Sequence, residues 1–145
     1  MWRTSIEVKS FEHLICTEQL SRRLGFKVGE ELIRVVRVRS LNGSARQVDH
    51  GYFLASIAKG LTPEIAADSI YGYLEHTRGV KVMASRRTVS VELANDEDCS
   101  YLDLGKYNCV AVMESQSYTS DGILFEVTHA RTHPEIFHYR VNSKR

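Results

Sequence analysis

Proline is scarce in this sequence: Pro63 and Pro134 are the only two in 145 residues. Glycine- and serine-rich stretches, internal repeats and low-complexity tracts are missing as well. Flexible linkers are built from such stretches, so no internal boundary is expected. Residues 1–145 are read as one domain, a size at which a single core forms readily. No apolar run approaches the ~20 residues that cross a bilayer. The opening Met1-Trp2-Arg3-Thr4-Ser5 lacks the apolar centre of a signal peptide. The expected location is the cytoplasm.

Cysteine is represented by Cys16, Cys99 and Cys109, an odd number with no CxxC spacing. Such a set suggests neither a disulfide framework nor a zinc site. Reduced thiols, with no metal and no cofactor, are the expectation. Neither sign of charge is in excess: 19 Lys and Arg face 18 Asp and Glu, for a net charge of +1. A domain that grips nucleic acid by itself needs a clustered basic surplus, so DNA binding by this segment alone is disfavoured. Catalytic signatures are missing too. There is no P-loop, GxGxxG, GxSxG or HExxH, and the chain is not expected to be an enzyme. His129 and His133 are four apart, but their segment reads as strand or loop, where that spacing does not converge two imidazoles. They are read as ordinary surface or hydrogen-bonding histidines.

What remains is an average globular composition, 43% hydrophobic and 26% charged. Residues 6–14 read as a strand. Thr17 is a suitable N-cap for a short helix over 18–24, which Gly25 would end. The β-rich run 31–40 is followed by the Asn42-Gly43 turn signal and a partner strand over 46–54. Thr62-Pro63-Glu64 opens a helical turn with proline at its first position, and Ser69 would cap a helix over 70–78. Residues 81–93 alternate as a long strand, with a bulge expected between Arg86 and Val89. Asn95 would cap an acidic helix over 96–102. Residues 107–118 and 123–131 form a second hairpin around Asp121-Gly122. The tail, 137–141, could add a last strand. The sum is about six mostly antiparallel strands with short helices between them, an α+β class.

Register decides which residues of the first hairpin share a face. A two-residue loop would set Arg37 opposite Val48. A three-residue loop (Asn42, Gly43, Ser44) sets Arg37 opposite Asp49 and Arg39 opposite Gln47, and aligns Val36 and Val38 with His50 and Val48. The second register sorts polar from apolar better and is preferred. Two guanidiniums on one face suit bidentate binding of a phosphate or carboxylate. A cross-strand salt bridge on a solvated face remains the competing reading of Arg37, Arg39 and Asp49. Asp68-Ser69-Ile70-Tyr71 is a second candidate, because a helix start offers free amides to an anion; an ordinary N-cap is its alternative. Glu126, on the second hairpin, is a third, and a strand glutamate is most often simply solvated.

Taken in order, a series of segments resembles the UTRA effector-binding domain of the HutC branch of GntR-superfamily bacterial regulators. They are Thr17-Glu18-Gln19-Leu20 with Leu24-Gly25; Arg37-Val38-Arg39; Asp49 with Tyr52; Asp68-Ser69-Ile70-Tyr71 with Leu74-Glu75; Gly79-Val80-Lys81-Val82; Leu102-Asp103-Leu104; and Asp121-Gly122 with Phe125-Glu126. The run from Thr62 to Phe137 resembles trehalose-operon repressors in particular.

The resemblance implies a chorismate-lyase-like fold, an antiparallel sheet flanked by helices. It implies a homodimer, with operator DNA read by an N-terminal winged helix-turn-helix that this chain lacks. It implies a small-molecule effector, commonly a phosphorylated sugar. Carried over, Arg37 and Arg39 would hold the phosphate beside Ser69 and Tyr71. Asp49 and Glu126 would face sugar hydroxyls. Thr132 stands where relatives often have an aromatic residue or histidine; His129 and His133 stand where trehalose-type repressors tend to have Glu and Arg. Three rivals stay open: a UTRA domain tuned to a non-sugar metabolite, a chorismate-lyase-like enzyme on the same fold, and a dimerisation module whose pocket is degenerate.

Overall fold

The computed structural model describes residues 3–144. Its first hairpin is organised by Asn42 and Gly43, whose φ angles of 51° and 83° are those of a type I′ turn, which asparagine and glycine tolerate best. The turn joins β2 (Glu31–Leu41) to β3 (Ser44–Leu54). Arg37 lies opposite Asp49, Arg39 opposite Gln47, Val38 opposite Val48 and Val36 opposite His50, the register that polar–apolar sorting prefers. The loop itself differs from expectation. It holds two residues, not three, and a bulge beyond Arg39 absorbs the extra one, so that Ser40 faces Ala45 and Leu41 faces Ser44.

β1 (Thr4–Ile15) pairs with β2, while β3 pairs with β6 (Leu124–Thr132). β6 in turn pairs with β5 (Cys109–Thr119), and β5 with β4 (Val82–Leu93). Every pairing is antiparallel, and the sheet order is β1-β2-β3-β6-β5-β4. The expected α+β, chorismate-lyase-like architecture is the one observed.

Helices cover the two faces unequally. α1 (Glu18–Leu24) is capped by Thr17 and ended by Gly25 in the left-handed region. It lies on the face of Leu32, Leu54 and Val127, where Gln116 donates to the Leu24 carbonyl at 3.3 Å. α4 (Asp96–Tyr101), closed by an Asn95–Asp98 capping box, lies on the same face at the other end, above Val36, Val38, Val48, Val110 and Val112. The opposite face receives only α2 (Pro63–Ala66) and α3 (Ile70–Gly72). Their Ala66, Ile70 and the following Leu74 join the core with Ile33, Val35 and Phe53. The rest of that face carries no helix among the described residues, and tail residues Ile136, Phe137 and His138 come beside its Arg39 and Thr132.

Three expectations need correction. The helix over 70–78 is broken: after α3 the chain widens into a π-helical turn, Tyr73–Thr77. There Leu74 is buried while the Tyr73 hydroxyl reaches the Lys59 carbonyl at 2.6 Å. The bulge of β4 lies between Val82 and Ala84 rather than between Arg86 and Val89. Residues 137–141 form no strand. Beyond Pro134 the backbone turns back, with the Ile136 and Phe137 amides both donating to the His133 carbonyl at 3.1 and 3.2 Å, and this carries the tail out of line with the sheet.

Candidate functional site

Strand alternation puts Arg37 and Arg39 of β2 on the open face with Gln47, Asp49 and Gly51 of β3. Register adds Glu126, Thr128, Ala130 and Thr132 of β6, and Met113, Ser115 and Ser117 of β5. Most of the central residues are small, which leaves a shallow bed between the β2 arginines and α3. Gly51 is needed at its rim: a Cβ there would come within 2.7 Å of the Phe53 ring.

Glu126 is the centre of the bed. It is 0% exposed. Its Oε1 accepts hydrogen bonds from the Tyr71 hydroxyl of α3 and, at 3.2 Å, from Ser117 Oγ. Its Oε2 is buried with no partner, a costly arrangement for a carboxylate. Burial pushes the Glu126 carboxyl above the usual carboxylate range. The Tyr71 and Ser117 hydrogen bonds pull it down, the Asp49 charge pushes it up, and the Arg37 charge pulls it down. The Tyr71 hydroxyl is also pushed up, by burial first and by Glu126 second. Arg37 donates to Asp49 Oδ2 at 2.6 Å and to the Ala66 carbonyl at 3.4 Å, with both charged side chains largely buried.

Arg37, Asp49, Tyr71 and Glu126 therefore make one group of two hydrogen-bonded pairs, Arg37–Asp49 and Tyr71–Glu126, that influence each other through charge. Arg39 and Thr132 form a second, next to it. Gln47 Nε2 donates to Thr132 Oγ1 at 2.9 Å, and Arg39, Gln47 and Thr132 line a cavity of about 280 Å³ with Phe137 of the tail. Ser69 belongs to neither group. Its Oγ accepts from the Gly72 amide at 2.9 Å, and it lines a different cavity with Asp68 and His76. A helix tip donating amides beside Arg37 is thus not what the fold provides. α3 is a single short turn capped by its own serine, and the nearest α2 group to Arg37 is a carbonyl.

His129 and His133 lie outside both groups. His129 faces Glu114 at 3.3 Å on the opposite face, and buried His133 accepts from the Glu135 amide at 3.0 Å and packs edge-on against Tyr107. Among the described residues no cluster of His, Cys, Asp and Glu could hold a metal ion. Sequence reasoning missed Ser117 and the tail residues of the cavity. Only the β5–β6 register, with its bulge after Ser117, brings Ser117 beside Glu126.

The pattern of one known family, the UTRA domain, matches residues 3–138. The chain belongs to that family. This UTRA domain is 28% identical over 123 residues to the HTH-type transcriptional regulator TreR of Bacillus subtilis, covering 85% of the chain and 52% of TreR. It is 31% identical over 88 residues to the uncharacterized HTH-type transcriptional regulator YydK of the same organism, covering 61% of the chain and 37% of YydK. The chain thus spans about half the length, or less, of these curated relatives. Among solved structures, the effector binding domain of the B. subtilis trehalose repressor superposes with a TM-score of 0.89 at 26% identity, covering 97% of this chain and 98% of that one. No helix among the described residues of this UTRA domain is long and apolar enough to cross a membrane.

Proposed function

We propose that this UTRA domain is the effector-sensing part of a cytoplasmic DNA-binding transcriptional regulator, and that its effector is a small anionic metabolite, a sugar phosphate. The carrying observation is the buried Glu126 with one unpartnered oxygen, set beside Arg37 and Asp49. A buried carboxyl left incomplete asks for a ligand donor. An arginine paired to a neighbouring aspartate can exchange that partner for a phosphate. In the bound state Arg37 and Arg39 take the phosphate, and Asp49, released from Arg37, accepts sugar hydroxyls together with Glu126. Thr132 and Gln47 border the sugar. Tyr71 couples the effector to α3, and Ser69 acts indirectly, by holding the turn that carries Tyr71. Operator DNA is read by a separate domain, and no chemical step is catalysed. The fold is no argument against an enzyme; the likeness to the HTH-type transcriptional regulator TreR and to the trehalose repressor effector binding domain is what favours a sensor.

Isothermal titration with sugar phosphates and their unphosphorylated sugars tests this. At least one phosphorylated sugar should bind and its parent sugar should not, and Arg37→Ala should weaken binding tenfold or more, in line with the ~1.5–3 kcal/mol of a hydrogen bond to a charged group. Undiminished binding by Arg37→Ala overturns the reading.

A second copy of the chain is the proposed partner along β4. All twelve residues of this edge strand are exposed, Val91 and Leu93 at 73% and 74%, and long bare apolar edges invite strand pairing. Sedimentation should report a dimer that Val91→Glu dissociates; a monomeric wild type overturns this part.

A further inference from the structure

We infer that Arg87 of β4 is an effector-binding residue, gripping the end of the ligand remote from Arg37. The inference rests on the sugar-phosphate reading of the bed and names a contact outside it. Register places Arg87 on the open face, in line with Ser115 of β5 and Thr128 of β6, one step from the Ser85–Ser117–Glu126 row. Ser85 Oγ lies 3.1 Å from Ser117 Oγ, which also donates to Glu126, so this part of β4 is tied directly to the centre of the bed. Arg86, its neighbour in sequence, falls on the opposite face, beside Gln116. Among the described residues Arg87 forms no salt bridge and no side-chain hydrogen bond, in contrast to Arg34, Arg37, Arg46 and Arg131.

Two arginines bracket the Tyr71–Glu126 pair. Burial is the leading influence on both groups; beyond it the Arg37 charge pulls the Glu126 carboxyl down from the β2 side and the Arg87 charge pulls the Tyr71 hydroxyl down from the β4 side, each the smallest of the influences. Four strand spacings separate β2 from β4, about 19 Å of backbone. Both arginines stand on the open face, and a compact sugar phosphate with their two side chains turned toward it would span that distance. A ligand with acceptor oxygens at both ends would satisfy both guanidiniums, which bind such groups through paired donors. The chemical class implied is a phosphorylated sugar with a second oxygen-rich or anionic end.

The test compares glucose 6-phosphate with 6-phosphogluconate, which carries a carboxylate at the far end, by titration into wild type, Arg87→Ala, Arg87→Lys and Arg86→Ala. Circular dichroism confirms folding of each. Arg87→Ala should weaken 6-phosphogluconate about tenfold and glucose 6-phosphate less. Arg87→Lys should recover part of the loss, and Arg86→Ala should match wild type. Equal losses in Arg87→Ala and Arg86→Ala would mean a diffuse surface charge effect and overturn the assignment. Wild-type affinity in Arg87→Ala, with binding still lost in Arg37→Ala, overturns the role of Arg87 and leaves the sugar-phosphate site standing. No binding of either probe to wild type counts against both.

Discussion

Two carboxylates in this domain are equally buried, Asp98 and Glu126, each 0% exposed. They lie on opposite faces of the same sheet and are completed to different degrees. Asp98 receives Arg131 Nε at 2.9 and 3.0 Å, Arg131 Nη2 at 2.9 Å and the Asn95 amide at 3.0 Å. Both oxygens that burial removes from water are answered by the protein, and the result pins α4 to β6. Glu126 receives two hydroxyls on one oxygen and nothing on the other. The first group serves the fold. The second is left for something the chain does not contain.

The largest expected effect tests the completed side. Asp98→Ala would take the partner from Arg131 Nε and Nη2, leaving Nη1 on Glu92 at 3.0 Å, and remove half of the α4 capping box. Breaking one partner of a buried pair costs about 3–5 kcal/mol, measured by urea unfolding. A loss below about 1 kcal/mol would put both faces on the same footing and dissolve the contrast.

A smaller effect sharpens the incomplete side. Because burial raises the Glu126 carboxyl above its ordinary value of 4.5, the folded chain holds the proton more tightly than the unfolded chain. The stabilisation this provides is complete below that ordinary value and is lost as pH climbs through the raised folded value. Glu126→Gln cannot ionise. Its thermal midpoint should therefore fall less than that of wild type between about pH 5 and pH 8. Parallel pH profiles would show that Glu126 carries no such burden.

The legible part of the domain was the part written in local pattern. Thr17 and Gly25 delimit α1, Asn95 starts α4, and Asn42-Gly43 makes the first turn, since caps and positive φ are demands on single residues. The pairing of Arg37 with Asp49 was legible because only one register keeps the valines together. The two-residue loop was not, because a bulge lets one register coexist with a shorter turn. The helix over 70–78 was misread for a similar reason. Burial of Leu74 and the reach of the Tyr73 hydroxyl to Lys59, neither visible in a helical pattern, go with a widened turn.

The site divides the same way. Arg37, Arg39 and Asp49 could be placed on one face from a single hairpin. Ser69 was drawn to the same place by a helix start that turned out to be one short, self-capped turn. Ser117 and Arg87 were out of reach. That Ser117 touches Glu126 and that Arg87 shares its face depend on strands brought together across the order β3-β6-β5-β4.

By itself, then, the sequence determined the elements, the first hairpin's register and the types of residue available for an anion. These follow from dihedral preference and from the two-residue period of a strand, both of which act between near neighbours. Only the tertiary structure decided that one buried acid would be answered and the other left open. Desolvation and hydrogen-bond satisfaction are set by what lies across the sheet, and for Glu126 those neighbours come from α3 and β5, 55 and 9 residues away in the chain.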